Sequence, residues 1–314
     1  MWHELSGQFI YDVIGLTGKL AEASHFFIYD TIKIWFLLLT IIFAVSFLRT
    51  WFNTEYVRAH LQGRSALYGH AAAAMFGIIT PFCSCSAIPL FLGFIQARIP
   101  LGVTFSYLIS APMNNEIAIA MLFSLFGWKV TAIYIVFGLT VAIIGGWVIG
   151  KMNMEKEILM DVKPIEAELH AEMVKLSFKD RAKEAWDSTY DIFKEIYLYV
   201  VLGVGVGAWI HGYIPTDFIA QYTGEGNPFA VIIAVVMGIP MYSNAAGVMP
   251  LVEVLTSKGM LLGTALSFMM AVTALSLPEA LILKKIISLR LIGLFFAIVG
   301  SGIIAIGYLF NAIL

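Results

Sequence analysis

The chain's whole supply of thiol is Cys83 and Cys85, two positions apart in 314 residues. They stand in Thr80-Pro81-Phe82-Cys83-Ser84-Cys85-Ser86, where a proline and three hydroxyls interrupt an otherwise apolar stretch. Thiolates select soft partners, so the pair suits a thiol-reactive centre such as trivalent arsenic. An isolated cysteine would more simply be a small buried hydrophobe. The i, i+2 spacing is awkward for a mutual disulfide. No histidine or third cysteine stands nearby to complete a tetrahedral zinc site. Cys83, Ser84, Cys85 and Ser86 are therefore read as substrate contacts.

A second cluster, Pro112-Met113-Asn114-Asn115-Glu116, falls in a stretch otherwise apolar from Leu101 to Leu125. A carboxylate at membrane depth is expensive and is by default a functional candidate. Glu116 reads as a coupling residue, with Asn114 and Asn115 offering amides to a substrate at the same level; the simpler alternative is an interhelical hydrogen-bond cluster. Tyr242, Ser243 and Asn244 follow Pro240 and precede three small residues, which makes a second polar break and a further candidate for substrate binding. Glu279, in Ser276-Leu277-Pro278-Glu279, reads as the counterpart of Glu116 in coupling, although Lys284 and Lys285 could hold it in a surface ion pair. Glu253 pairs most simply with Lys258, while His70 and His211 could titrate near neutrality but are more simply structural. No Walker loop, Rossmann glycine pattern, HExxH or GxSxG accompanies these residues, so the sequence predicts no cofactor and no resident metal.

The elements that must position them are membrane helices. Sixty percent of the residues are hydrophobic and 13% charged, against about 25% charged in a soluble domain. The partners implied are a small-molecule substrate and the lipid bilayer; a net charge of −2 without a basic cluster points away from nucleic acid. Residues 1–30 carry His3, Glu4, Asp12, Lys19 and Glu22 among helically spaced apolar residues, which predicts a surface-lying amphipathic segment rather than a cleaved leader. Two membrane halves, 31–150 and 193–314, flank a charged linker at 151–192. Spans are predicted at about 31–49, 101–124, 129–150, 193–212, 260–281 and 291–312, with broken hairpins at 65–99 and 228–257, giving about eight hydrophobic segments.

The halves echo one another. Pro81 is matched by Pro240, Pro89 by Pro250, Leu101-Gly102 by Leu262-Gly263 and Phe105-Ser106 by Leu266-Ser267. If each broken segment returns to the face it left, Arg49, Arg58, Arg64, Arg98, the eight basic residues from Lys151 to Lys194, Lys284, Lys285 and Arg290 share one face. Only Lys19, Lys33, Lys129 and Lys258 remain for the other. The positive-inside rule then puts the linker in the cytoplasm and both termini outside. The expected fold is all-α and polytopic: two inverted repeats, each of three transmembrane helices and a broken hairpin, the plan of secondary transporters.

Thr80 to Ser86, Pro89-Leu90, Ser110-Ala111-Pro112-Met113-Asn114 and Gly238-Ile239-Pro240-Met241-Tyr242-Ser243-Asn244 resemble the predicted permeases that include ArsP. The resemblance implies a multi-pass protein of the inner plasma membrane, with Cys83 and Cys85 in the family's functional cysteine motif. It also implies efflux of a soft species such as a trivalent organoarsenical. Alternating access would supply the mechanism, without enzymatic activity. The competing expectations are a membrane-embedded thiol-redox enzyme acting on quinones or sulfur compounds, and a channel, for which no ring of charge supplies a filter.

Overall fold

The computed structural model describes residues 19–49, 66–79, 84–159, 178–213, 222–224, 226–241, 243, 245–257 and 259–313. Among them the regular structure is helical, and pairing between extended segments is confined to two isolated bridges. The helices are α1 (Lys19–Arg49), α2 (Ala66–Ile79), α3 (Ser84–Gln96), α4 (Leu101–Met113), α5 (Glu116–Lys151), α6 (Phe178–Tyr213), α7 (Ala230–Gly238), α8 (Ala245–Ser257), α9 (Leu262–Ala274), α10 (Leu277–Leu283) and α11 (Leu289–Ile313). Among the described residues, three stretches can cross a membrane by length and composition: Glu116–Lys151, Leu262–Leu283 and Leu289–Ile313. Val136 and Ile144 on α5 are exposed, as lipid-facing residues should be.

Several expected boundaries move. The span expected at 101–124 is two helices, because α4 stops at Met113 and Asn115 caps a new helix. Glu116 is therefore the first residue of α5, not a mid-span residue. The loop expected near 125–128 shrinks to a kink at Gly127, whose φ of 76° is open to glycine and strained for other residues. The span expected at 260–281 is likewise interrupted, at Leu275-Ser276, between α9 and α10. The limits placed at residues 30 and 192 fall inside the continuous helices α1 and α6.

Contacts divide the chain into two units, one of Leu37–Tyr197 and Leu283–Val299, the other of Met1–Phe36, Leu198–Ile282 and Gly300–Leu314. In the first, α4 is the buried centre, packed by α2, α3 and α5. Glycines let the backbones close up: a Cβ on Gly102 would lie 2.6 Å from the Gly146 carbonyl, and one on Gly77 would lie 2.9 Å from the Ala111 nitrogen. His70 Nδ1 meets Ser106 Oγ at 2.9 Å, and Ser110 Oγ donates to the Ala74 carbonyl at 2.7 Å. These contacts ascend together, so α2 runs parallel to α4 and ends level with its C-terminus. In the second unit α9 is the buried centre, packed by α7 and α8.

The two units use the same local construction at a constant shift of 161 residues (262 less 101). Ser84–Gln96 answers to Ala245–Ser257 and Leu101–Met113 to Leu262–Ala274, each pair equal in length. The Gly102–Gly146 approach recurs as Gly263–Gly307, and Gly146 against Ser106 recurs as Gly307 against Ser267. Even the turn before the central helix repeats: Ile99 N–H to the Phe94 carbonyl past Arg98 (φ 55°), and Met260 N–H to the Leu255 carbonyl past Gly259 (φ 92°). Both are Schellman closures with a left-handed residue after the helix.

Candidate functional site

In the first unit the central helix ends in a polar knot. Asn114, fully buried, continues the last turn with its N–H on the Ser110 carbonyl, while its Nδ2 donates to Ser110 Oγ at 3.3 Å. Its Oδ1 is buried without a hydrogen-bond partner. From α5, Gly138 presses on the Asn114 amide so closely that no Cβ could fit, and Tyr134 Oη donates to the Met113 carbonyl at 2.5 Å. Asn115 Oδ1 accepts the Ile117 N–H at 2.9 Å, which caps α5. Glu116 is half-buried, with Oε2 shielded and without a hydrogen-bond partner. Since α2 ends level with Met113, its last residue, Ile79, lies at the same height as Asn114.

The second unit joins its two breaks directly. The Leu277 N–H, at the start of α10, donates to the Ile239 carbonyl, at the end of α7, at 2.9 Å. Ser276 and Glu279 are both fully buried there, and Ser276 Oγ, Glu279 Oε1 and Glu279 Oε2 have no hydrogen-bond partner. The surface ion pair with Lys284 or Lys285 considered from the sequence is thus corrected: both lysines are exposed and Glu279 is not. At the shift of 161, Glu116 corresponds to Leu277 and Glu279 to the buried Ala118. The pairing of Glu116 with Glu279 is corrected by two residues, about 200° around a helix.

Of the residues singled out in the sequence, Asn114, Asn115 and Glu116 come together at one break, and Glu279 stands at another. Cys83, Tyr242 and Asn244 lie outside the described residues. Ser84, Cys85 and Ser86 are described as the first turn of α3 by backbone alone. Ser243 is half-buried between α7 and α8. Three further participants emerge. Ser110 was legible as the residue one helical turn before Asn114, and Ser276 as the first member of S-x-x-E. Tyr134 reaches Met113 across 21 positions and left no local signal.

Buried amides, hydroxyls and a carboxylate at helix interruptions can bind a polar solute or carry a proton within an apolar body, as broken helices do in transporters. Among the described residues no group of three or more His, Cys, Asp or Glu could hold a metal ion.

Comparison with known proteins agrees with a membrane carrier. The chain is 23% identical to the UPF0718 protein MJ0584 of Methanocaldococcus jannaschii over 75% of its own length and 80% of the relative's. It is 23% identical to the UPF0718 protein YraQ of Escherichia coli, over 78% and 68%. It is 26% identical to a putative two-component membrane permease complex subunit of Streptococcus mutans, over 51% and 52%. No solved structure matches it. Residues 19–312 match the family named ArsP_1, described as predicted permease. With helices apolar enough to cross a bilayer and this family match over most of its length, the chain is a multi-pass membrane protein and belongs to the ArsP_1 predicted permeases.

Proposed function

We propose that the protein is a secondary permease of the inner membrane that exports a soft, thiol-reactive solute by alternating access of two inverted repeats. The observation that carries the reading is the doubled construction. In each unit two helices, α2 and α3 or α7 and α8, pack against a central helix that ends in a break, α4 or α9, with α3 and α8 and α4 and α9 related by one constant shift. Two facts favour inversion. In the first unit, Phe43 stacks edge-on against Trp186 and Phe47 against Phe178, so α1 and its counterpart α6 run antiparallel there. Residues Glu157 to Leu159, just after α5, bond to Ile286 to Ser288, just before α11, so α5 ends where its counterpart α11 begins.

Cys83 and Cys85 are assigned to solute capture, with Ser84, Ser86, Asn114, Asn115, Tyr242, Ser243 and Asn244 as polar contacts and Glu116 and Glu279 as coupling carboxylates. Two thiols match a monoalkyl arsenic(III) dihydroxide: each S–As bond that forms releases one hydroxyl as water, and the arsenic stays trivalent. Inorganic arsenite offers three exchangeable positions, one more than the chain has cysteines.

The test is uptake of monomethylarsenite and of inorganic arsenite into inside-out vesicles. Wild type should concentrate the methylated species at least tenfold over Cys83→Ser and show little activity on the inorganic one. Equal uptake by both proteins would remove the cysteine assignment. A cysteine-dependent chemical change in detergent without transport would replace the permease by a thiol-redox enzyme.

A further inference from the structure

Glu279 is a carboxylate with no neutralising partner among the described residues. It is fully buried, and neither oxygen has a hydrogen-bond partner. Among the described side chains, α7 and α9 contain no ionisable residue, and α8 contains only the exposed Glu253. On α11, Arg290 and Tyr308 are exposed, and on α1, Lys33 lies over the Tyr29 ring. Lys284 and Lys285, after α10, are exposed.

An ionised carboxylate stripped of both water and counter-ion is heavily penalised, so the group must hold a proton or a metal cation. Among the described residues at this break, the buried side-chain oxygens without partners number three: two of Glu279 and Ser276 Oγ. Hard cations gather about six or more oxygens, more than these three. A proton needs one oxygen.

The sequence context adds a second state. Ser276-Leu277-Pro278-Glu279 has the spacing of a capping box, in which serine caps the amide three residues on and glutamate takes the serine's own N–H. In this structure neither side chain makes its bond. At the break of the other unit, by contrast, Asn115 makes its cap. The site is the buried carboxylate itself rather than the amides of a short helix.

We infer that Glu279 carries the coupling proton of this permease, protonated while the capping box is open and ionised when the box closes around it. Loss of the proton to water leaves the carboxylate to accept the Ser276 N–H, which redraws the joint between α9 and α10 beside the Leu277–Ile239 bond. This rests on the permease reading.

The test is infrared difference spectroscopy of the full chain in lipid vesicles, stepping pH upward from neutrality in choline chloride or sodium chloride of equal ionic strength. Wild type and Glu116→Gln should keep the C=O stretch of one protonated carboxylic acid after the surface carboxylates have ionised, and lose it at higher pH. Glu279→Gln should lack the band, Glu279→Asp should move it, and Ser276→Ala should hold it to higher pH. A band absent from wild type, or unaffected in both Glu279 variants, overturns the assignment. Loss of the band on adding sodium at fixed pH overturns it in favour of a metal-cation site. Solute flux in the same vesicles reads separately: flux without the band keeps the permease and removes the proton site, and the band without flux does the reverse.

Discussion

Asn114 is held by its neighbours rather than by solvent. Ser110 fixes its Nδ2, and the bare backbone of Gly138 leaves room for the amide and nothing more. Gly138→Ala should therefore destabilise the protein by about 1–3 kcal/mol, as overpacking does, and should slow transport by displacing the amide. Asn114→Ala removes the obstacle, so the double variant should be more stable than Gly138→Ala alone, a non-additivity expected of residues in contact. Thermal unfolding in detergent reads both effects, and strict additivity would show that Gly138 matters for some reason other than Asn114. The polar character of this cluster was legible in the sequence, since amides in an apolar run announce themselves. Its lock was not, because a glycine's close approach depends on which helix faces it.

At the scale of elements, the paired Schellman turns offer a clean comparison. Arg98 and Gly259 occupy equivalent left-handed positions before α4 and α9, yet only one is glycine. A Cβ at 259 would meet nothing within 4 Å, so substitution there strains the backbone alone. Gly259→Arg should cost about 1–2 kcal/mol, the penalty of the left-handed region for a residue with a Cβ. Arg98→Gly should cost nothing and could return up to about 1 kcal/mol, less the extra freedom glycine has when unfolded. Equal losses in the two variants, measured as shifts in unfolding midpoint, would mean that side-chain contacts rather than φ set the effect. The same comparison explains what the sequence could and could not reveal about the repeat. The pairs Leu101-Gly102 with Leu262-Gly263 and Phe105-Ser106 with Leu266-Ser267 lie at the true shift, because glycine–serine crossings lock one helix against another. Pro81 with Pro240 and Glu116 with Glu279 miss it by two residues in opposite directions. A proline can break a helix anywhere within a turn, and a carboxylate is placed by the face it must serve.

For the whole molecule, the strongest constraint on topology is a backbone clasp within one unit. The Leu159 N–H donates to the Ile286 carbonyl and the Ser288 N–H to the Glu157 carbonyl, both at 2.8 Å, with Ile158 bridged to Ile287. Arg290 and Glu157 add an ion pair at 3.7 Å, but with the arginine side chain 79% exposed it contributes little. The clasp ties the start of the linker to the turn before α11, so the segments that carry Lys156 and Lys284, Lys285 and Arg290 meet there. From the Gly127 kink to Lys151, α5 rises roughly 36 Å at 1.5 Å per residue, enough to carry Lys129 to the opposite face of a core about 30 Å thick. In a background of Cys83→Ser and Cys85→Ser, single substitutions Lys156→Cys, Lys284→Cys and Lys129→Cys separate these statements. An impermeant maleimide added to intact cells should label Lys129→Cys, and should reach Lys156→Cys and Lys284→Cys only after permeabilisation. Lys156→Cys and Lys284→Cys labelled from different sides would break the clasp. Both labelled from outside would keep the clasp and reverse the orientation drawn from the positive-inside rule. Lys129→Cys labelled from the same side as Lys156→Cys would mean that α5 does not cross, and the antiparallel relation of α5 and α11 would no longer support an inverted repeat.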